Sequence, residues 1–158
     1  YKGEKVADIK IESIKKFKSI NCPSNLNSQA IDEFLLIFLV AAKAKGISYF
    51  KDLSELNQKE SPRLKLGSKI LNMMGIKTIL KSDSIKIIGN PNLSISKKIE
   101  IKNYLKDHRI FMVSVIAALS LGGNWKIYDP DSFNTSFPTF LKILNNLGAK
   151  IKWEILLK

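Results

Sequence analysis

The chain carries one cysteine, Cys22, and one histidine, His108, in 158 residues. A single thiol closes no internal disulfide, which fits a reducing compartment. Arginine is nearly as scarce. Of 26 basic residues only Arg63 and Arg109 are arginines, and the remaining 24 are lysines spread along the whole chain. Long apolar runs are missing too. The longest, 34–42 and 110–121, fall short of the roughly 20 residues a membrane helix needs and read as buried core helices. No secretory signal pattern is visible at the start, so the expected location is cytoplasmic. Tyr1 rather than Met stands first, so the expectation is a piece of a longer protein. Apolar residues make up 45% of the chain, which excludes bulk disorder, and the length is that of one ordinary domain.

What is abundant is positive charge. The formal net charge of +12 favours anionic partners: nucleic acid, anionic lipid or a phosphorylated small molecule. Dispersed lysines without interleaved aromatics describe a solvated surface rather than a nucleic-acid stripe. Neither nucleic acid nor a membrane is therefore the expected partner. In a chain that uses lysine almost everywhere, an arginine that remains draws notice. Its planar fork suits carboxylate or phosphate. Arg63 closes Lys59-Glu60-Ser61-Pro62-Arg63, and Arg109 closes Asp107-His108-Arg109. The plain alternative is a pair of ordinary salt-bridge arginines.

The chain also repeats itself. Lys69-Ile70-Leu71-Asn72 with Gly75 recurs as Lys142-Ile143-Leu144-Asn145 with Gly148, an offset of 73. Asp32 and Asp107 each open an apolar run, and these runs end at Gly46 and Gly122. Each half predicts a helix (32–45 or 108–121), a strand (47–50 or 125–128), a polar loop and a second helix (62–74 or 137–147). Gly75 or Gly148 then follows, just past a helix end. Pro62 and Pro138 stand near the starts of the second helices, where a missing N–H is harmless. Strands are expected at 77–80 and 150–156, with a hairpin through Ser82-Asp83 to 84–88. Residues 5–12 read as a strand belonging to a preceding unit. The pattern is an α/β repeat of β-α-β-α-β-β units. It divides the chain into 1–30, completing an earlier unit, a first unit over 31–90, and a second over 91–158. Trp125, Trp153 and the phenylalanines fit core packing.

Four motifs in order resemble those of the enolpyruvyl transferases, the 5-enolpyruvylshikimate-3-phosphate synthases in particular. They are Ile31-Asp32-Glu33, Lys59-Glu60-Ser61-Pro62-Arg63, Asp107-His108-Arg109 and Ser136-Phe137-Pro138, with Glu55-Leu56 as the run-in to the second. The likeness covers residues from about 3 to 152. Three positions depart from the family pattern or from some of its members. Pro62 stands where the family's Lys-Glu-Ser-Asp-Arg has Asp, Asn57 where an Arg is usual, and Thr135 where some members have Lys.

The resemblance implies an inside-out α/β barrel of two domains, each of three units, with about two units of one domain present here. It implies transfer of the enolpyruvyl group of phosphoenolpyruvate to the 5-hydroxyl of shikimate 3-phosphate, with release of phosphate, a step of aromatic amino acid biosynthesis. No cofactor and no metal are called for. Asp32 would be the base on the attacking hydroxyl, and it also reads as the N-cap of its helix. Glu60 would carry the proton at the methylene carbon, and Lys59 would contact the hydroxyl. Arg63 and Arg109 would hold phosphoenolpyruvate, and Asp32 and Lys59 shikimate 3-phosphate. Asp107 and His108 flank the site. Thr135 and Ser136 would cap the last helix. The amino-terminal half of the site, the expected partner of this chain, is not in the sequence, so the chain alone is expected to be inactive. Two alternatives stay open: the sister activity on a UDP-sugar, and a non-catalytic repeat domain that grips phosphate or RNA.

Overall fold

A computed structural model describes residue 3 and residues 6–152. The expected strand over 150–156 and Trp153 lie largely outside the described residues, and 150–152 form no strand.

The first unit is built around strand β1, Gly46–Phe50. Residues 17–22 run parallel to it, bridging Lys18 to Lys45 and Asn21 to Tyr49. Four backbone hydrogen bonds of 2.8–3.2 Å tie 17–22 to Tyr49 of β1 and to Lys45 just before it. The chain then forms a short helix α1, Asn27–Ala30, a turn over 31–33, and helix α2, Phe34–Ala42. After β1 come a 3-10 turn, Ser54–Gln58, helix α3, Arg63–Met73, and strands β2, Thr78–Leu80, and β3, Ile85–Gly89. Strand β3 lies antiparallel between β1 and β2. The second unit pairs β4, Lys98–Ile101, in parallel with β5, Asn124–Ile127, across helix α4, His108–Leu121. Helix α5, Phe140–Asn146, closes it.

The repeat seen in the sequence is a repeat of helix endings. At the end of α3, Gly75 donates to the Asn72 carbonyl and Ile76 to Leu71, at 3.0 and 2.9 Å. At the end of α5, Gly148 donates to Asn145 and Ala149 to Leu144, at 2.9 and 3.0 Å. Both are Schellman closures with a left-handed glycine, φ +89° and +96°. Two residues past each unit's inner strand stands a left-handed aspartate, Asp52 at φ +60° and Asp129 at φ +53°.

Both units feed one core. Phe34, Phe38 and Phe50 meet at centroid distances of 5.1–6.1 Å. The buried cluster continues through Leu64, Ile85 and Ile87 to Ile99, Ile110, Phe111 and Leu141. Burying each such side chain contributes roughly 1.5–3 kcal/mol. Phe111, Phe133 and Phe140 extend the packing into the second unit, Trp125 is half-buried, and Phe137 stays exposed.

Several sequence expectations need correction. Residues 6–12 form no strand, and Val6, Ile9 and Ile11 are 76%, 84% and 87% exposed. Their alternation faces nothing among the described residues, whereas 17–22 gain four backbone bonds to Lys45 and Tyr49. Strand β4 is one that the sequence pattern does not announce. Helix α2 stops at Ala42, so Gly46 opens β1 rather than ending the helix. Helix α5 starts at Phe140, not 137, because successive turns over 129–139 hold the chain until then. Neither Thr135 nor Ser136 caps it, and its N-cap is Thr139 without a side-chain bond. Asp32 is not an N-cap either: α1 passes into α2 through helical turns, and the N-cap position is Glu33.

Candidate active site

Three loops leave the carboxyl ends of strands in parallel pairs, the usual position of sites in such sheets. The segment after residues 17–22 carries Asp32. The segment after β1 carries Lys59, Glu60 and Arg63. The segment after β4 carries Asp107, His108 and Arg109. Asn27 joins the first two, donating to the carbonyls of Lys51 and Asp52 at 2.8 and 3.1 Å.

Asp107 is the hub. It caps α4, accepting from the N–H groups of Arg109 at 2.9 Å and Ile110 at 3.3 Å. Its other oxygen accepts from Ser61 Oγ at 2.7 Å and Arg63 Nε at 2.9 Å. The side chain is fully buried. Burial alone would raise its pKa. The Arg63 and Ser61 hydrogen bonds, the Arg63 charge and the Arg109 N–H outweigh burial and hold the carboxyl below its ordinary value.

Arg63 is 1% exposed and fully engaged by carboxylates. Besides Asp107, its Nη1 donates to Asp32 Oδ1 at 3.0 Å and its Nη2 to Glu60. Burial works against the charge, but Asp107, Glu60 and Asp32 raise the guanidinium's pKa above its usual value. Arg109 takes the other oxygen of the same Asp32 carboxylate, Nη2 to Oδ2 at 3.3 Å. Its Nη1 donates to the Asp32 carbonyl at 2.9 Å and to Glu33 at 3.2 Å.

Sites 46 residues apart in sequence thus share one carboxylate. Asp32, Glu60, Arg63, Asp107 and Arg109 come together. Lys59 does not: it pairs with Glu55 at 2.9 Å. His108 is half-buried at the first turn of α4, and none of these contacts involves it. The two forks do not face a common open cleft. Arg109 is 28% exposed, whereas Arg63 is sealed, so an anion reaches Arg63 only by displacing Glu60 or Asp32, which are 55% and 46% exposed. Four carboxylates (Asp32, Glu33, Glu60, Asp107) against two guanidiniums leave the cluster at a formal −2. Among the described residues no group of His, Cys, Asp or Glu is arranged to hold a metal.

Sequence reasoning assigned no role to Ser61 or Glu33, although both lie inside quoted motifs, because motif spacing says nothing of which side chains turn inward. It also left Asn57 as a mere departure. Asn57 accepts from the Lys65 N–H at 3.3 Å and donates to the Ser82 carbonyl at 3.2 Å. It thereby serves the first turn of α3, whose N-cap, Pro62, has no side-chain donor or acceptor.

Residues 2–144 match the family model described as EPSP synthase (3-phosphoshikimate 1-carboxyvinyltransferase). The chain is 40% identical over 149 residues to the 3-phosphoshikimate 1-carboxyvinyltransferase of Ruthia magnifica, covering 94% of this chain and 33% of that protein. It is 36% identical over 149 residues to the one of Hydrogenovibrio crunogenus, with the same coverage. Among solved structures, EPSP synthase of Acinetobacter baumannii superposes with a TM-score of 0.78 at 33% identity, over 87% of this chain and 32% of that one. The chain therefore spans about a third of the length of the relatives it matches.

Proposed function

The chain belongs to the EPSP synthase family, and from that premise we propose that it supplies part of the site that moves the enolpyruvyl group of phosphoenolpyruvate to the 5-hydroxyl of shikimate 3-phosphate, with loss of phosphate. The observation that carries this reading is the shared Asp32 carboxylate, on which arginines from two other motifs converge. Asp32, about half exposed, is the base on the hydroxyl, and its two arginine contacts aim it. Arg109 offers the first guanidinium to the anionic substrate. When the anion reaches Arg63 it displaces Glu60, which frees that carboxylate for proton transfer at the methylene carbon. Lys59 reaches the hydroxyl after leaving Glu55. Asp107 holds Arg63 in place throughout, and His108 flanks the anion.

The formal −2 of the cluster bears directly on activity. Two polyanionic substrates cannot be held by a net-negative constellation, so further cations must come from the rest of the protein, the amino-terminal half that is this chain's partner. We further propose the division into 1–30, 31–90 and 91–158, cytoplasmic placement, and inactivity of the 158 residues alone. Phosphate release by the purified chain, given both substrates, would refute the last point.

In the full-length protein, Arg109→Lys should raise KM for phosphoenolpyruvate at least about tenfold while shifting KM for shikimate 3-phosphate less than about threefold, since lysine cannot reproduce the fork. Equal losses would remove Arg109 from its assigned role. Titration of the chain with RNA between about 50 and 200 mM salt tests the binding-module alternative. Steep salt dependence, with no response to shikimate 3-phosphate, would favour that alternative.

A further inference from the structure

We propose that Tyr104 is a positioning residue for this site: its hydroxyl holds a strained loop in the one shape that delivers Asp107 to Arg63. The loop leaves β4 and passes through three left-handed non-glycine residues, Asn103 at φ +59°, Leu105 at +57° and Lys106 at +54°. Side chains resist that conformation, and it persists only where the surroundings enforce it. Leu105 and Lys106 are well exposed, and the ion pair Lys106 makes to Asp131 of the loop after β5, at 4.0 Å between two exposed side chains, is too weak to hold the strain. Tyr104 lies between the strained positions and is 1% exposed. Its hydroxyl donates to the Tyr128 carbonyl and lies 3.2 Å from that of Asp129 and 3.4 Å from Ser132 Oγ. These acceptors belong to the loop after β5, so the hydroxyl clasps the two loops that leave the parallel pair. The Tyr104 carbonyl then accepts the Asp107 N–H at 3.1 Å, which sets the start of α4.

The consequence runs through Asp107. A carboxylate that caps a helix and clamps a buried guanidinium tolerates little displacement, and its position is inherited from the loop before it. Counting Arg63 and Asp107 as part of the active site rests on the function proposed above. The clasp itself does not, and its test needs no turnover.

The test is hydrogen exchange of the Arg63 Nε–H, read by NMR in the 158-residue chain. In the parent chain this proton is buried on Asp107 and should be strongly protected. Tyr104→Phe keeps the ring and removes the donor. Exchange at Arg63 Nε–H should speed up at least about tenfold, and the Asp107 titration midpoint should rise toward the ordinary value. Amides of β3, in the other sheet, should speed up less, only as far as global stability falls. Adding Leu105→Gly and Lys106→Gly removes the strain the hydroxyl opposes and should restore protection at Arg63. Unchanged Arg63 exchange in a folded Tyr104→Phe chain would overturn the proposal. If Tyr104→Phe alone does not fold, the triple variant decides: protection at Arg63 supports the clasp. A triple variant that folds without that protection, or fails to fold, overturns it.

Discussion

At the scale of single residues, Asp107 and Tyr104 give the fold opposite dependences on pH. The folded state holds Asp107 below its ordinary pKa, so its ionised form stabilises the chain. That contribution is fully present above about pH 4 and is lost as pH falls through the lowered folded value. Asp107→Asn should cost about 3–5 kcal/mol at pH 7, the usual loss when one partner of a buried pair is removed. It should also flatten the acid limb of stability; urea unfolding at pH 7 and pH 3 checks both. Burial, the largest influence, pushes the Tyr104 hydroxyl up to about 12. Its neutral form is favoured by folding, so stability is full below about pH 10 and falls between about pH 10 and 12. Tyr104→Phe should remove that alkaline loss in thermal melts. Little of this was legible beforehand. The sequence named Asp107 as a flanking residue and passed over Tyr104. A cap and a clamp on one carboxylate depend on Ser61 and Arg63 arriving from 46 and 44 positions away, which local pattern cannot show.

Among the elements, endings were more readable than beginnings. Gly75 and Gly148 marked the ends of α3 and α5, because a left-handed residue at that point strongly favours glycine. No neighbour comes within 4 Å of a Cβ built at either glycine, so Gly75→Ala and Gly148→Ala should each cost only the backbone strain, about 1 kcal/mol. Gly89 has a different reason. A Cβ there would lie 2.2 Å from the Ala44 carbonyl oxygen and 2.5 Å from that of Ala41. Gly89→Ala should therefore cost about 3 kcal/mol by overpacking β3 against the end of α2. Urea midpoints of the three variants would rank these effects, and similar midpoints would contradict the distinction. Helix α4 was read with its observed bounds because Asp107 and Gly122 punctuate it clearly. Strand β4 was missed although Ile99 and Ile101 alternate with Lys98 and Glu100. Its partner lies 26 residues away and runs parallel, so no turn announces it. Residues 6–12 misled for the complementary reason: their alternation finds no partner among the described residues and makes no strand.

For the whole molecule, the charge of +12 and the −2 of the candidate site point in different directions. The lysines lie outside the cluster, so the chain's overall charge draws anions near it without providing the grip on them. The core is likewise a property of the whole. Helix α2 of the first unit packs on α4 of the second. Slowly exchanging amides in β3 and α4 should therefore share one opening free energy, and distinct values would mean that the units open separately. This cohesion limits how such a chain can diversify. In a solenoid, neighbouring modules can be shuffled because each contacts only the next. Here buried side chains from Phe34 to Leu141 interlock. A crossover between two homologous genes that fell inside that interval would join halves whose interiors had not been selected together. Exchange is then best tolerated outside it, and the repeat visible in the two Schellman closures does not make the units interchangeable parts.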